Sequence, residues 1–421
     1  MRGVLSKSSI TQHSALDRAL ARHGRITFAR YMELALYDRL WGYYSRRARL
    51  GADGDFYTSP ELHPMFAGAI AARAETLWRT LGSPHAFDLI EVGGGSGRLA
   101  RDLLMYVREV YPEFFGALRF RIDERSAGLR EQQLQRLNQA ELSDRVHWTS
   151  GAAADWPVGS VHGLIVANEL LDAFPVHLVT GREGVLQELF VIGQGGRLVM
   201  EAGSPSTPRL TRYIDRLGVT VPNGAQWEVN LAAPVWLRRV SRAVRRGGLL
   251  LMDYGYEAAE LYNGSRPQGT LLCYARHALG SNPLERPGTQ DITAHVDFTT
   301  IRQVLKAAGL WSVEYRTQRA ALVHERPAWR DWTQDAPLAW SERVGRIRSL
   351  ESLVEPAGLG ALRWLLSLRG ADSTCWPETV AVPLPSSPTL AEDHLNLADP
   401  AALDPLPDIE EQWREMWSED D

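Results

Sequence analysis

Cysteine and lysine are nearly absent from this chain of 421 residues. The two cysteines, Cys273 and Cys375, lie far apart and form no metal-spaced pair, and the histidines are scattered. A disulfide scaffold and a structural zinc site are therefore excluded as the basis of the fold. No metal is expected, and a reducing cytoplasm is the expected location. Lysine occurs only at Lys7 and Lys306, so arginine carries nearly all the positive charge. No apolar run approaches the ~18 residues needed to span a bilayer. Residues 1–25 lack the continuous apolar block of a secretory signal, so neither membrane nor export is expected. A net charge of −5 argues against a dedicated nucleic-acid binder. What remains is an ordinary soluble composition, 44% apolar and 23% charged, long enough for two domains or one with large insertions.

Against that background one segment stands out, Asp88-Leu89-Ile90-Glu91-Val92-Gly93-Gly94-Gly95-Ser96-Gly97. A buried strand delivers the chain into a turn almost free of side chains, where a flat ligand can lie against the backbone. The dinucleotide fingerprint needs its last two glycines three apart, and the residue three beyond Gly95 is Arg98. The spacing of Glu91, Gly93, Gly95 and Gly97 instead resembles the first motif of class I S-adenosylmethionine-dependent methyltransferases.

The surrounding pattern is of the α/β type. Apolar spacing predicts helices over 26–37 (Thr27 as N-cap), 64–81 and 129–140. Strands are predicted over 87–92, 120–123, 146–148, 163–167 and 248–253. Their alternation with helices implies a parallel sheet covered on both faces. Between the fourth and fifth strands, period-2 stretches at 185–192 and 197–201 read as a hairpin of an inserted lid or subdomain. Strand-like segments at 311–315 and 320–324 are expected to complete the sheet, with a helix over 297–309 before them. The divisions predicted are an N-terminal helical segment (1–82), a core in two parts (83–176 and 247–390), the insertion (177–246) and an acidic, mobile tail (391–421). Trp413 and Trp417 form a possible docking stripe in that tail.

Several side chains fall where such sheets bind ligands. Glu124 ends the second strand and is favoured over its neighbour Asp123 to accept both ribose hydroxyls. Asn168, Glu169 and Asp172 follow the fourth strand. Asn168 is a candidate to fix the donor's amino group, and Glu169 and Asp172 to line the acceptor side and act in catalysis. A capping role for Asn168 and Asp172 is the alternative. Thr58, Ser59, Pro60 and Glu61 close a polar loop that is expected to fold over the cofactor, with Ser59 as N-cap of a following helix and Pro60 in its first turn. The Asp253 and Asp291–His295 segments are read as capping and packing, and His295 as a structural histidine.

Taken together, Gly42-Tyr43-Tyr44, 54–61, 91–97, 124–126, Asn168-Glu169 with Asp172-Ala173 and Pro175-Val176, 248–255, 269–271 and 291–298 are similar to the MidA-like family. These are class I methyltransferase-fold proteins that include a mitochondrial complex I assembly-factor arginine methyltransferase. The resemblance covers roughly residues 26–325. It implies a Rossmann-like methyltransferase sheet, an S-adenosyl-L-methionine site built from the 54–61 loop, the Glu91–Gly97 loop and Glu124, and a protein arginine as acceptor. Gly94-Gly95-Ser96-Gly97 replaces the family's commoner Gly-Pro-Gly-Arg-Gly type of loop. Two other readings stay open: a small-molecule O- or N-methyltransferase, with Phe174, Tyr254 and Tyr256 lining a closed pocket, and a weakly catalytic cofactor-binding assembly factor.

Overall fold

The computed structural model describes residues 15–46, 58–149, 156–275, 278–280, 282–371, 376–386 and 394. The predicted mobile tail with its tryptophan stripe, residue 394 excepted, and the 54–57 part of the polar loop lie outside the described residues.

A seven-stranded sheet forms the centre. Its strands are β1 (Phe87–Val92), β2 (Leu118–Asp123), β3 (Val146–Thr149), β4 (Val161–Asn168), β5 (Val244–Asp253), β6 (Trp311–Thr317) and β7 (Arg363–Arg369). Their spatial order is β3-β2-β1-β4-β5-β7-β6. Five run parallel, from β3 to β5, and β7 is antiparallel to both β5 and β6. The order reverses between β1 and β4, which opens a crevice at the carboxyl ends of these strands.

Alternation along each strand explains why both faces are covered. Leu89, Leu164, Leu250 and Leu366 point into one apolar cluster with the helices α1 (Met65–Thr80) and α2 (Arg98–Val110). Ile90, Ile165, Leu251 and Leu365 point into another with α3 (Ala232–Ala243) and α4 (Phe298–Ala307). A strand buried on both sides reads as the continuous apolar run seen in Leu249-Leu250-Leu251-Met252. Each fully buried leucine contributes about 1.5–3 kcal/mol relative to an exposed one.

Three local expectations are corrected. The 320–324 segment is helical, part of Gln318–Leu322, because the Thr317 hydroxyl accepts the Ala320 N–H and starts a helix. The seventh strand is instead β7, which enters antiparallel between β5 and β6. At the N-terminus, Arg25–Thr27 is a strand, and the helix begins at Phe28 with Thr27 as its N-cap. Ser59 lies inside the helix Ser59–Leu62, and Thr58 takes the cap position without a side-chain bond.

The insertion builds a second sheet from His177–Arg182, Val185–Gln194, Arg197–Gly203 and Gln226–Val229, joined by Arg25–Thr27. The predicted hairpin is present, Val185–Gln194 pairing antiparallel with Arg197–Gly203. From this unit the helix Pro208–Leu217 reaches the core, where the Tyr213 hydroxyl donates to Asp297 Oδ2 at 2.6 Å.

Candidate functional site

The glycine loop begins where β1 ends. Gly93, Gly95 and Gly97 have φ of +73°, +49° and +79°, values that L side chains rarely adopt. Gly94 is needed for a different reason: a Cβ there would lie 2.7 Å from Ile122 Cγ2. Gln133 fills the space beneath the loop. Its Nε2 donates to the Gly95 carbonyl at 3.0 Å and lies 3.4 Å from Glu124 Oε2, while its Oε1 accepts the Trp148 indole N–H. The loop and Glu124 are thereby fixed relative to each other. Sequence reasoning missed Gln133, whose only signal was a polar residue on the apolar side of a helix.

Two carboxylates face this loop. Glu124 follows β2 and accepts the Ser126 N–H at 2.8 Å; burial raises its pKa. Its neighbour Asp123 is engaged sideways by the Thr149 hydroxyl. Glu91 lies near the end of β1. Its Oε2 is buried without a hydrogen-bond partner among the described residues, and burial followed by the charge of Glu124 pushes its pKa up to about 8.

The helix Ser59–Leu62 joins the glycine loop to the end of β4. Glu61 accepts from the Ser96 hydroxyl and, at 3.3 Å, from Arg98 Nε. On the other side the Ser59 N–H donates to Glu169 Oε1 at 3.3 Å, and the Ser59 hydroxyl donates to Gln318 Oε1. Pro60 is buried between them, and the Thr58 carbonyl closes the turn by accepting the Glu61 N–H.

At the end of β4 the acids converge. Asn168 Nδ2 donates to Glu169 Oε1 at 3.0 Å, and Asn168 Oδ1 has no hydrogen-bond partner among the described residues. Glu169 sits at φ +46°, a left-handed conformation that costs a non-glycine residue about 1–3 kcal/mol. Burial, then the charge of Asp172, pushes its pKa up to about 8. Asp253, at the end of β5, accepts backbone N–H groups from Leu170, Leu171 and Asp172 at 3.2, 2.8 and 3.3 Å. Burial still raises its pKa to about 8. Asp172 is held well above the usual carboxylate range by burial and by the charges of Asp253 and Asp291. Asp291 accepts the Tyr44 hydroxyl at 2.9 Å. Three buried carboxyl groups and the half-buried Glu169 thus share one electrostatic neighbourhood. Asp253 and Asp291 exceed the capping and packing read from sequence, because only the sheet order brings β5 and the 291–298 segment beside β4. His295 lies between the Tyr254 and Tyr256 rings, its pKa lowered to about 3 by burial, and so is neutral.

The loop, the unmet acceptors on Glu91 and Asn168 and the cation-seeking acids fit a sulfonium nucleoside. Comparison with known proteins agrees. A family described as "Putative S-adenosyl-L-methionine-dependent methyltransferase" matches residues 69–316. The protein arginine methyltransferase NDUFAF7 homolog, mitochondrial, of Drosophila melanogaster is 30% identical over 308 residues, 68% of either chain. Its Homo sapiens counterpart is 28% identical over 323 residues, 70% of this chain and 69% of the relative. Among solved structures, a Burkholderia thailandensis protein bound to S-adenosyl-homocysteine superposes with a TM-score of 0.75 at 30% identity, covering 85% of this chain and 91% of that one. The expected cytoplasmic location is overturned here, since these curated relatives are mitochondrial proteins. Few cysteines, and the lack among the described residues of a helix long and apolar enough to cross a membrane, carry no address within the cell. By family match, fold and relatives, this chain belongs to the MidA-like family of S-adenosyl-L-methionine-dependent methyltransferases.

Proposed function

We propose that the chain methylates an arginine side chain of a protein, and that the buried acids at the end of β4 receive it. The observation that carries this reading is the cluster of Glu169, Asp172 and Asp253, all with raised pKa, beside the charge of Asp291. Such a set is relieved by a bound cation and has no use for a neutral acceptor. A protein acceptor also agrees with the names of the relatives, which are protein arginine methyltransferases.

In this reading Glu124 accepts the ribose hydroxyls, the Gly93–Gly97 backbone takes the flat part of the nucleoside, and Glu91 and Asn168 supply their unmet oxygens. Thr58, Ser59, Pro60 and Glu61 close over the methionine end, and the inserted 177–246 unit roofs the crevice. The bound cofactor supplies an already activated methyl group. What the protein must add is alignment and exclusion of water. A guanidinium brings a further demand, since it is protonated and its lone pairs are delocalised. The bound guanidinium lowers the raised pKa of Glu169 and Asp172, and in their ionised form they orient it and take the proton released on transfer.

Glu169→Gln is the test. The variant should bind S-adenosylhomocysteine within a few-fold of wild type by calorimetry and lose turnover by ~10²–10⁴. Labelled methyl donor should mark protein in a cognate lysate with the wild type and not with the variant. Wild-type rates in the variant would remove Glu169 from this role, and label confined to small metabolites would remove the protein acceptor.

A further inference from the structure

The edge of the central sheet opposite the crevice carries a second cleft, of about 580 Å³, at the amino ends of β1, β2 and β3. That volume is within the range of small-molecule sites. Three arginines line it, Arg119, Arg121 and Arg145, together with His147, Asp88 and Asp144.

Asp88 is buried and already committed. Its Oδ1 lies 3.0 Å from Arg119 Nη2 and 3.8 Å from Arg121 Nη2, and its Oδ2 accepts the His162 backbone N–H at 2.9 Å. It therefore serves as an anchor that aims two guanidinium groups into the cleft. Arg145 is fixed by different means. Its Nη2 donates to the Phe115 carbonyl at 2.8 Å, and its guanidinium lies over the Phe115 ring at 4.6 Å.

These groups are only partly satisfied. Arg121 Nε and Arg145 Nε are buried with no hydrogen-bond partner among the described residues. A buried donor left unmet costs about 1–3 kcal/mol. The local potential is positive as well. The pKa of His162 is lowered first by burial and then by Arg246, with Arg245 and Arg119 adding to the effect and Asp88 alone opposing it. Planar guanidinium groups match the oxygens of a phosphate group, and the Arg119 head is more than half exposed and that of Arg121 partly so.

We infer that this cleft is an oxyanion site for a small phosphate-bearing molecule, separate from the methyl-transfer crevice. Arg121 and Arg119 supply the charge, Arg145 forms one wall, and Asp144 is the single lining acid that no guanidinium neutralises within salt-bridge distance among the described residues.

Calorimetric titration with inorganic pyrophosphate tests the inference. Wild type should bind one equivalent, Arg121→Met should weaken binding at least ten-fold, and Asp144→Asn should tighten it several-fold. Asp144 is exposed, so its replacement carries little risk to the fold. S-adenosylhomocysteine affinity within two-fold of wild type in both variants would certify that the crevice is intact. Failure of wild type to bind pyrophosphate saturably, or equal binding by wild type and Arg121→Met, would overturn the assignment.

Discussion

At the scale of single residues, the site depends on carboxylates held in environments that do not suit their charge. Glu124 differs from the others, because backbone and Gln133 N–H groups meet its oxygens and partly offset its burial. It is the acid best prepared to remain ionised and accept two hydroxyl groups. Glu124→Ala is expected to weaken S-adenosylhomocysteine binding at least ten-fold, about 1.4 kcal/mol or more, in calorimetry. The place of Glu124 was readable from the glycine motif together with the end of the second strand, and the structure sets it beside Gln133 under the loop. Gln133 was not, because its role arises from Gly95, Glu124 and Trp148 meeting around one amide. Glu169 was readable as a residue but not as a strained one. Its left-handed backbone follows from the turn that directs the chain after β4 over the carboxylate of Asp253.

At the scale of elements, short polar connections hold the parts of the site together. The helix Ser59–Leu62 spans only four residues, yet it bonds to the glycine loop through Glu61 and to Glu169 through Ser59. The helix Pro208–Leu217 is fastened in the same manner, with Tyr213 donating to Asp297, itself the N-cap of α4. Tyr213→Phe should cost ~1–2 kcal/mol in denaturant unfolding. It should also speed amide exchange within 208–217 more than within α4, and uniform exchange across both helices would show that this bond does not fasten the insertion. Periodicity made most of these elements legible, including all five parallel strands and the inserted hairpin. It failed at 320–324, where a threonine cap outweighed an apolar run, and it gave no warning of β7. The Arg363–Arg369 strand is buried on both faces, and an apolar run of that length does not separate strand from helix.

At the scale of the whole molecule, burial of so many acids must appear in the stability. Glu91, Glu169 and Asp253 keep their protons up to about pH 8 in the folded chain. In the unfolded chain they release them near pH 4, so between these values the folded state binds more protons and stability falls as pH rises. The buried neutral histidines His63 and His295 act in the opposite sense, because the unfolded chain takes up their protons below about pH 6.5. Three such acids outnumber the two histidines, so scanning calorimetry without ligand should show Tm falling gently from about pH 5 and more steeply between about pH 6.5 and 8, and Glu169→Gln should reduce that decline. A Tm still rising at pH 8 would contradict the burial of these acids.

By itself the sequence determined the α/β class, the parallel sheet, the glycine loop and the acid that follows the second strand. All of these are local, written in side-chain period and in the spacing of glycines within one turn. The tertiary structure alone decided which distant acids become neighbours. Asp253 and Asp291 join Glu169 and Asp172 because strand order and the return of the chain bring them together. The same order places Arg145, just before β3, beside Arg119 and Arg121 of β2 around the cleft at the far edge of the sheet. Electrostatic fields depend on separation in space, and a linear pattern records that separation only where the contacts are short in sequence.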